Sequence, residues 1–407
     1  MTKGEQRIAW AGRHMPVLAQ LAERFAKEQL FRGVRISACL HVTAETANLV
    51  LALKLGGAQV ALCGSNPLST QDDVVVALKR KSIAVFAKRG IDAKEYYRNV
   101  RDCLAHKPQL TVDDGADLVT YLHTKAKSLL KHVWGGTEET TTGVIRLRAL
   151  AKAGKLRYPI VAVNSARTKY LFDNRYGTGQ STIDGIMRAT NVLFAGRVVV
   201  VAGYGWCGKG VAARARGMSA RVVVCEVNPI QALEAAMDGF QVLPMAAAAR
   251  LGQVFITTTG NRDVITRDHF TLMQDGAVLA NAGHFDVEID VAALRKLAVR
   301  TQEVRPNLTA YALKGGRTLY LVAEGRLANL GAAEGHPASV MDLSFANQAL
   351  ALQYLLLNRG KLQPQVYDVP TEVDRSIAAL KLKSLGIRTD TLTPRQRTYL
   401  TSWQEGT

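Results

Sequence analysis

Three glycines at 203, 205 and 208, in the stretch RVVVVAGYGWCGKG, carry the first chemistry legible in this chain. Five apolar residues before them, 198–202, read as a strand buried on both faces, and a helical stretch follows to about Gly217. Gly203 permits a tight turn, Gly205 lets a pyrophosphate approach the backbone, and Gly208 lets the helix pack on the strand. The helix start offers free N–H groups and a positive dipole end to a phosphate. A second strand, 222–225, ends at Glu226, whose carboxylate accepts from a ribose diol and repels a 2′-phosphate. The expected ligand is therefore NAD rather than NADP. Arg214 and Arg216 lie within the helix, away from that strand end, and read as solvated.

Polar residues gather at other expected strand ends, where open α/β sheets place their functional groups. They are His41, Thr43 and Glu45, and Asp113, Asp114 and Asp117; a loop then adds Glu138, Glu139, Thr140, Thr141 and Thr142 in EETTTG. Further along come Asn164, Lys169, Asp173 and Asn174, then Asn281 and His284, then Glu324, Arg326, Asn329 and His336. Each has a structural alternative. EETTTG and Asp117 are good first-turn or capping residues. Lys169 and Asp173, four apart, suit an exposed helical ion pair. His336, before Pro337, suits a plain loop. Their common location at strand ends favours function.

The elements needed to position these groups alternate along the chain. After a helical start at about 15–30, strands are expected at 34–40, 59–63, 83–87, 110–113 and 160–163. Helices at 44–55, 71–80, 95–104 and 118–132 lie between them. The alternation resumes with strands at 198–202, 222–225, 254–257, 277–280 and 319–322. The fold class is α/β, with two doubly wound Rossmann-like lobes and a C-terminal helical extension. Residues 1–178, completed by about 338–369, form a substrate-binding lobe, and 179–337 the NAD-binding lobe. Residues 370–407 form a polar helical, oligomerising segment with a capping signal at Thr393-Pro394. YGTGQS (176–181) is a hinge candidate because it carries two glycines.

Composition narrows the classes. At 48% hydrophobic and 21% charged residues the chain reads as an ordinary globular protein. It has no apolar run long enough for a membrane span and no secretory apolar region at the start. The five cysteines, odd in number and without a C-x-x-C pair, fit reduced thiols in the cytoplasm and no metal site. The formal net charge of +18 is scattered rather than clustered with aromatics, so it reads as solvated surface that attracts anionic small molecules, not nucleic acid.

Taken together, CLHVTAET (39–46), SNPLSTQDD (65–73), DDGADL (113–118), EETTTGV (138–144) and KYLFDNRYGTGQS (169–181) resemble S-adenosyl-L-homocysteine hydrolases. VVAGYGWCGKG (200–210), NAGHFDVEID (281–290) and AEGRLANLGAAEGHP (323–337) extend the resemblance in the same order. The chain looks like the shorter type of that family. The resemblance implies a cytoplasmic homotetramer that hydrolyses S-adenosyl-L-homocysteine, reversibly, to adenosine and L-homocysteine. NAD oxidises the ribose 3′-hydroxyl, the C4′ proton is lost, homocysteine is eliminated, water adds at C5′ and the hydride returns.

By position in those motifs, Lys169 and Asp173 assist loss of the 3′-hydroxyl proton, the Lys through a pKa lowered by desolvation. Asp114 is the C4′ base, and His41 and His284 manage protons at C5′. Glu139 binds ribose hydroxyls, Thr43 and Glu45 the base, and His336 the rim of the adenine pocket. Thr140, Thr141, Thr142, Asn174, Asn281 and Asn329 hold the nicotinamide end of NAD. The chain departs from the family pattern at Asn164-Ser165-Ala166 and at Thr178, where many members have a cysteine, so no thiol is expected in the chemistry. Its ending, YLTSWQEGT, lacks a Lys–Tyr tail, and faster NAD exchange is expected. An S-inosyl-L-homocysteine hydrolase is the nearest alternative, since Glu45 suits adenine or hypoxanthine. A simple NAD-dependent dehydrogenase or a non-catalytic NAD-binding regulator would leave the carboxylates and the two histidines without a task.

Overall fold

The computed structural model describes residues 1–404; the last three residues of the expected 370–407 segment lie outside the described residues. The first lobe starts with helices Lys3–Arg13 and Pro16–Glu28, where the sequence suggested one. Pro16 separates them, since its ring suits a first helical position but not an interior one. The strands that follow are β1 (Arg35–Leu40), β2 (Gln59–Gly64), β3 (Ala84–Phe86), β4 (Leu110–Asp113), β5 (Gly135–Glu138) and β6 (Ile160–Ala162). The second lobe supplies β7 (Val198–Ala202), β8 (Arg221–Cys225), β9 (Gln241–Val242), β10 (Val254–Thr257) and β11 (Val278–Asn281). It ends with β12 (Ala298–Arg305), β13 (Leu308–Leu313) and β14 (Thr318–Val322), and β15 (Val366–Asp368) then returns to pair with β6.

Two sheets result. The first has the order β15-β6-β5-β4-β1-β2-β3 and is parallel throughout. The second has the order β12-β13-β14-β11-β10-β7-β8-β9, parallel from β14 to β9. In each, the chain winds outward in both directions from one central strand. The crevices so made lie between β1 and β4 and between β7 and β10, and ligands in such sheets bind there.

Several elements differ from the sequence expectation. β5 was read as part of a loop because GGTE has little strand propensity. Its glycines serve packing: a Cβ at Gly136 would strike Thr111, and one at Gly135 would strike Leu355. Helix Ala338–Leu357 can thereby press on the sheet. β12 and β13 form an antiparallel hairpin whose outer strand is exposed and polar, so no apolar run announced it. The expected 118–132 helix is Asp117–Thr124 followed by a 3-10 turn, Lys127–His132.

YGTGQS, the hinge candidate, runs from a π-helical turn, Asp173–Gly177, into helix Thr178–Thr190. Its glycines allow close packing on His336 and on the Gly210 backbone. In the C-terminal segment, helix Thr371–Ser384 packs into the first lobe, with Lys381 Nζ 2.8 Å from the buried Asp342 and Asp374 accepting from the Arg167 and Thr168 N–H groups. Among the described residues, only the Pro394–Thr401 helix stands fully exposed. No helix among the described residues is long and apolar enough to cross a membrane.

Candidate active site

The two crevices open toward each other, and one cavity between the lobes is lined by residues of both. At the end of β4, Asp114 stands between two imidazoles. Its Oδ2 is 3.2 Å from His41 Nε2, and its Oδ1 is 3.6 Å from His284 Nδ1. His41 follows β1, whereas His284 follows β11 of the other lobe. His41 Nδ1 lies 2.7 Å from Ser69 Oγ and 3.2 Å from Ser65 Oγ, which fix the ring. Burial, reinforced by His284 and His336 and opposed by Asp114, pushes the His41 pKa down to about 4. It is thus a neutral proton acceptor at neutral pH.

The second cluster surrounds Lys169, which is buried. Its ammonium donates to Asn174 Oδ1 at 2.9 Å, Asp173 Oδ1 at 3.0 Å and Asn164 Oδ1 at 3.2 Å, with Glu139 at 3.7 Å. The exposed-pair alternative for Lys169 and Asp173 is therefore excluded. The expected lowering of the lysine pKa is also corrected. Burial works in that direction, but Asp173 and Glu139 outweigh it and hold the amine above its ordinary value.

Asp173 falls well below the usual carboxylate range. Burial opposes that fall, while Lys169, His336 and a hydrogen bond from Ser344 Oγ at 2.7 Å produce it. Glu139, with burial dominant and a smaller share of the lysine, rises to about 8. One cation thus serves two carboxyls unequally. Gln348 Nε2 donates to Glu139 Oε2 at 2.5 Å, while Glu139 Oε1 is buried without a partner. Such an atom calls for a ligand hydroxyl.

Ser344 and Gln348 escaped the sequence reading. The signal was present: both are polar, one helical turn apart, inside the buried helix Ala338–Leu357. His336 was expected at the rim of an adenine pocket. It lines the cavity, but its Nε2 is 3.3 Å from Asp173 Oδ1 and its Nδ1 3.0 Å from Ser181 Oγ, because Gly177 leaves room for the ring. Thr43 caps helix Ala44–Leu55, accepting from the Thr46 N–H, and lines the same cavity with Glu45. Burial raises the Glu45 pKa.

The cofactor groove meets this cavity. Gly203 has φ +97°, a conformation that favours glycine, and a Cβ on Gly208 would collide with the Gly203 carbonyl. Gly205 has nothing within 4 Å of a would-be Cβ, so the groove stays open there. Glu226 lines the groove with Gly203 and Gly205, accepting from Tyr204 N at 2.6 Å and Val227 N at 2.7 Å. The open glycine backbone, the helix N-terminus at Trp206 and the carboxylate at the next strand end fit NAD.

Thr140, Asn174 and Asn329 line the central cavity, and Asn329 Oδ1 is buried without a partner. Thr141 Oγ1 accepts from Asn164 at 2.8 Å, and Thr142 Oγ1 faces Gly260 of the other lobe. Asn281 needs correcting: its amide is used within the protein. It donates to the Gly283, Phe285 and Gly325 carbonyls and accepts from Thr257 and Gly283, so it shapes the His284 loop. Cys207, inside the glycine motif, lines the cavity with its Sγ 3.7 Å from Thr178 Oγ1.

The chain matches the family described as S-adenosyl-L-homocysteine hydrolase over residues 1–133, and its NAD binding domain over residues 174–335. It is 60% identical over 406 residues to the adenosylhomocysteinase of Aquifex aeolicus, covering 100% of this chain and 97% of that one. Identity to the adenosylhomocysteinase of Gloeobacter violaceus is 59% over 406 residues, covering 100% and 95%. The S-inosyl-L-homocysteine hydrolase of Methanocaldococcus jannaschii is 56% identical over 405 residues, covering 100% and 97%.

Proposed function

This chain belongs to the S-adenosyl-L-homocysteine hydrolase family, and from that premise we propose how its residues divide the work of NAD-dependent hydrolysis of S-adenosyl-L-homocysteine. The observation that carries the proposal is the Asp114 carboxylate held between His41 and His284, beside the Lys169–Asp173 pair. NAD, held along Gly203, Gly205 and Glu226, would supply reversible hydride acceptance at ribose C3′.

Lys169 orients the 3′-hydroxyl and stabilises its developing oxyanion. Its raised pKa keeps Lys169 from taking the hydroxyl proton, which passes by way of Asp173 to the His336 imidazole bonded to it. Glu139 takes a ribose hydroxyl on its unpartnered Oε1. With C3′ a ketone, the C4′ proton becomes acidic and Asp114 removes it. His41 and His284, on either side, protonate the leaving sulfur and deprotonate the incoming water. Thr43 and Glu45 face the base, and Thr140, Asn174 and Asn329 the nicotinamide end. One relative acts on S-inosyl-L-homocysteine, and Glu45 can accept from either base. Product analysis with the adenosyl and inosyl substrates side by side tests the choice; turnover of the inosyl compound alone would reverse it.

We also propose a cytoplasmic homotetramer. Val227, Ile230, Leu233 and Met237 are exposed on and beside helix Pro229–Met237, an apolar stripe suited to another copy of the chain. Trp403 is bare as well. The cysteines, free and mostly buried, fit a reducing compartment. Mass in solution tests the assembly; a monomer at working concentration would contradict it.

A further inference from the structure

Glu138, the residue before Glu139, has no role in the scheme above, yet it is fully buried at the end of β5. Its Oε1 accepts from two backbone N–H groups, Gly115 at 2.8 Å and Thr140 at 3.0 Å. Its Oε2 is buried without a partner. Any side chain at Gly143 would collide with this carboxyl, so the helix that starts at Thr141 is built around it.

The Gly115 contact matters most. Gly115 and Ala116 both have positive φ, +104° and +63°, so the turn after Asp114 sits in a conformation unfavourable for alanine. Among the described residues, the only side chain bonded to the Gly115 N–H is that of Glu138. Asp113, opposite Glu138 in the β4–β5 register, holds the same turn through Asp114 N at 3.0 Å and Val119 N at 2.8 Å. The Gly115 α-carbon abuts the His284 ring of the other lobe, and a Cβ there would collide with His284 Nε2. The position of this turn therefore sets both where Asp114 points and where His284 stops.

We propose that Glu138 is a positioning residue for the C4′ proton-transfer step, fixing the Asp114-Gly115 turn between His41 and His284 through its bond to the Gly115 N–H. Burial, with Asp113 and Asp114 adding to it, raises the Glu138 pKa well above the ordinary value and so favours the protonated acid. A neutral acid accepts through its carbonyl oxygen as an amide does. Glutamine should therefore replace it, and alanine should not.

The test, which rests on the mechanism proposed above, compares the NAD-loaded wild type with Glu138→Ala and Glu138→Gln. Two signals are followed after substrate is added: reduced-nicotinamide absorbance, and exchange of the C4′ hydrogen with heavy water. Misplacement of a reacting group by about 1 Å costs on the order of a hundred-fold, so exchange should fall by roughly that factor in Glu138→Ala. Cofactor reduction should stay within about three-fold, and Glu138→Gln should restore exchange. Wild-type exchange in Glu138→Ala, loss of both signals together, or a Gln variant without exchange would each overturn the proposal. If Glu138→Ala does not fold, the Gln variant alone decides. A wild type showing neither signal would instead refute the mechanism.

Discussion

His284 Nδ1, from the NAD-binding lobe, stands 3.6 Å from Asp114 Oδ1 of the substrate lobe. The proton-handling group is therefore complete only while the lobes are together. In the proposed scheme, protons at C5′ and C4′ would pass through residues that different sheets supply, whereas the Lys169 cluster is built largely by the first lobe and helix Ala338–Leu357.

His284→Ala should accordingly separate the two halves of the reaction. Oxidation at C3′ should persist, while release of homocysteine falls by about a hundred-fold or more, the usual contribution of a general acid or base. Rapid-quench analysis of a single turnover measures both. Equal loss of the two would place His284 in substrate or cofactor binding instead.

Glu226→Ala should weaken NAD binding by about ten-fold and narrow the preference over NADP, since a charged acceptor is lost and repulsion of a 2′-phosphate disappears. Titration of the apo-protein with each cofactor checks this. Unchanged affinities would show that the carboxylate serves only its bonds to Tyr204, Val227 and Asn228.

Cys207→Ala should keep turnover within about three-fold of the wild type. Burial raises the thiol pKa, so the group is a neutral filler against Thr178 rather than a nucleophile. A loss of a hundred-fold in kcat with intact NAD content would bring the thiol into the chemistry.

Stability of the apo-protein should depend on pH in two opposite ways. His41 takes its proton near 6.5 when unfolded but near 4 when folded, so its contribution is full above about 6.5 and is lost as pH falls through about 4. Glu139 moves from 4.5 to about 8, so its contribution is full below about 4.5 and is lost as pH rises through about 8. Urea unfolding of His41→Asn should show a weaker acid-side decline, and that of Glu139→Gln a weaker alkaline-side one. Profiles that superimpose on the wild type would contradict both assignments.

The sequence revealed most of the site because its groups lie just past strand ends, and strands are visible as apolar runs. His41, Asp114, Lys169 and His284 all carry that signature, and so do the glycines and Glu226. What stayed hidden depends on neighbours distant in sequence. β5 looked like a loop because its glycines answer to Leu355 and Thr111 rather than to strand propensity. The charge state of Lys169 could not be read, because Glu139 reaches it from another strand and opposes desolvation. Ser344 and Gln348 lie inside a buried helix and Cys207 inside the glycine motif, so none of them follows an apolar strand end. Glu138 was visible as a loop acid, but only the Gly115 contact gives it a task.

The most direct test of redox-neutral hydrolysis is reduced-nicotinamide absorbance through a single turnover, in the wild type, Lys169→Ala and Asp114→Asn. In the wild type the signal should rise and return to baseline as adenosine and homocysteine appear. Lys169→Ala should give no rise, because the 3′-hydroxyl keeps its proton. Asp114→Asn should give a rise that persists, with no C4′ exchange and no homocysteine, and the usual effect of a lost general base, about a hundred- to ten-thousand-fold, makes the stall easy to see. Reduced cofactor that accumulates in step with consumed substrate in the wild type would contradict the account and make the protein a dehydrogenase.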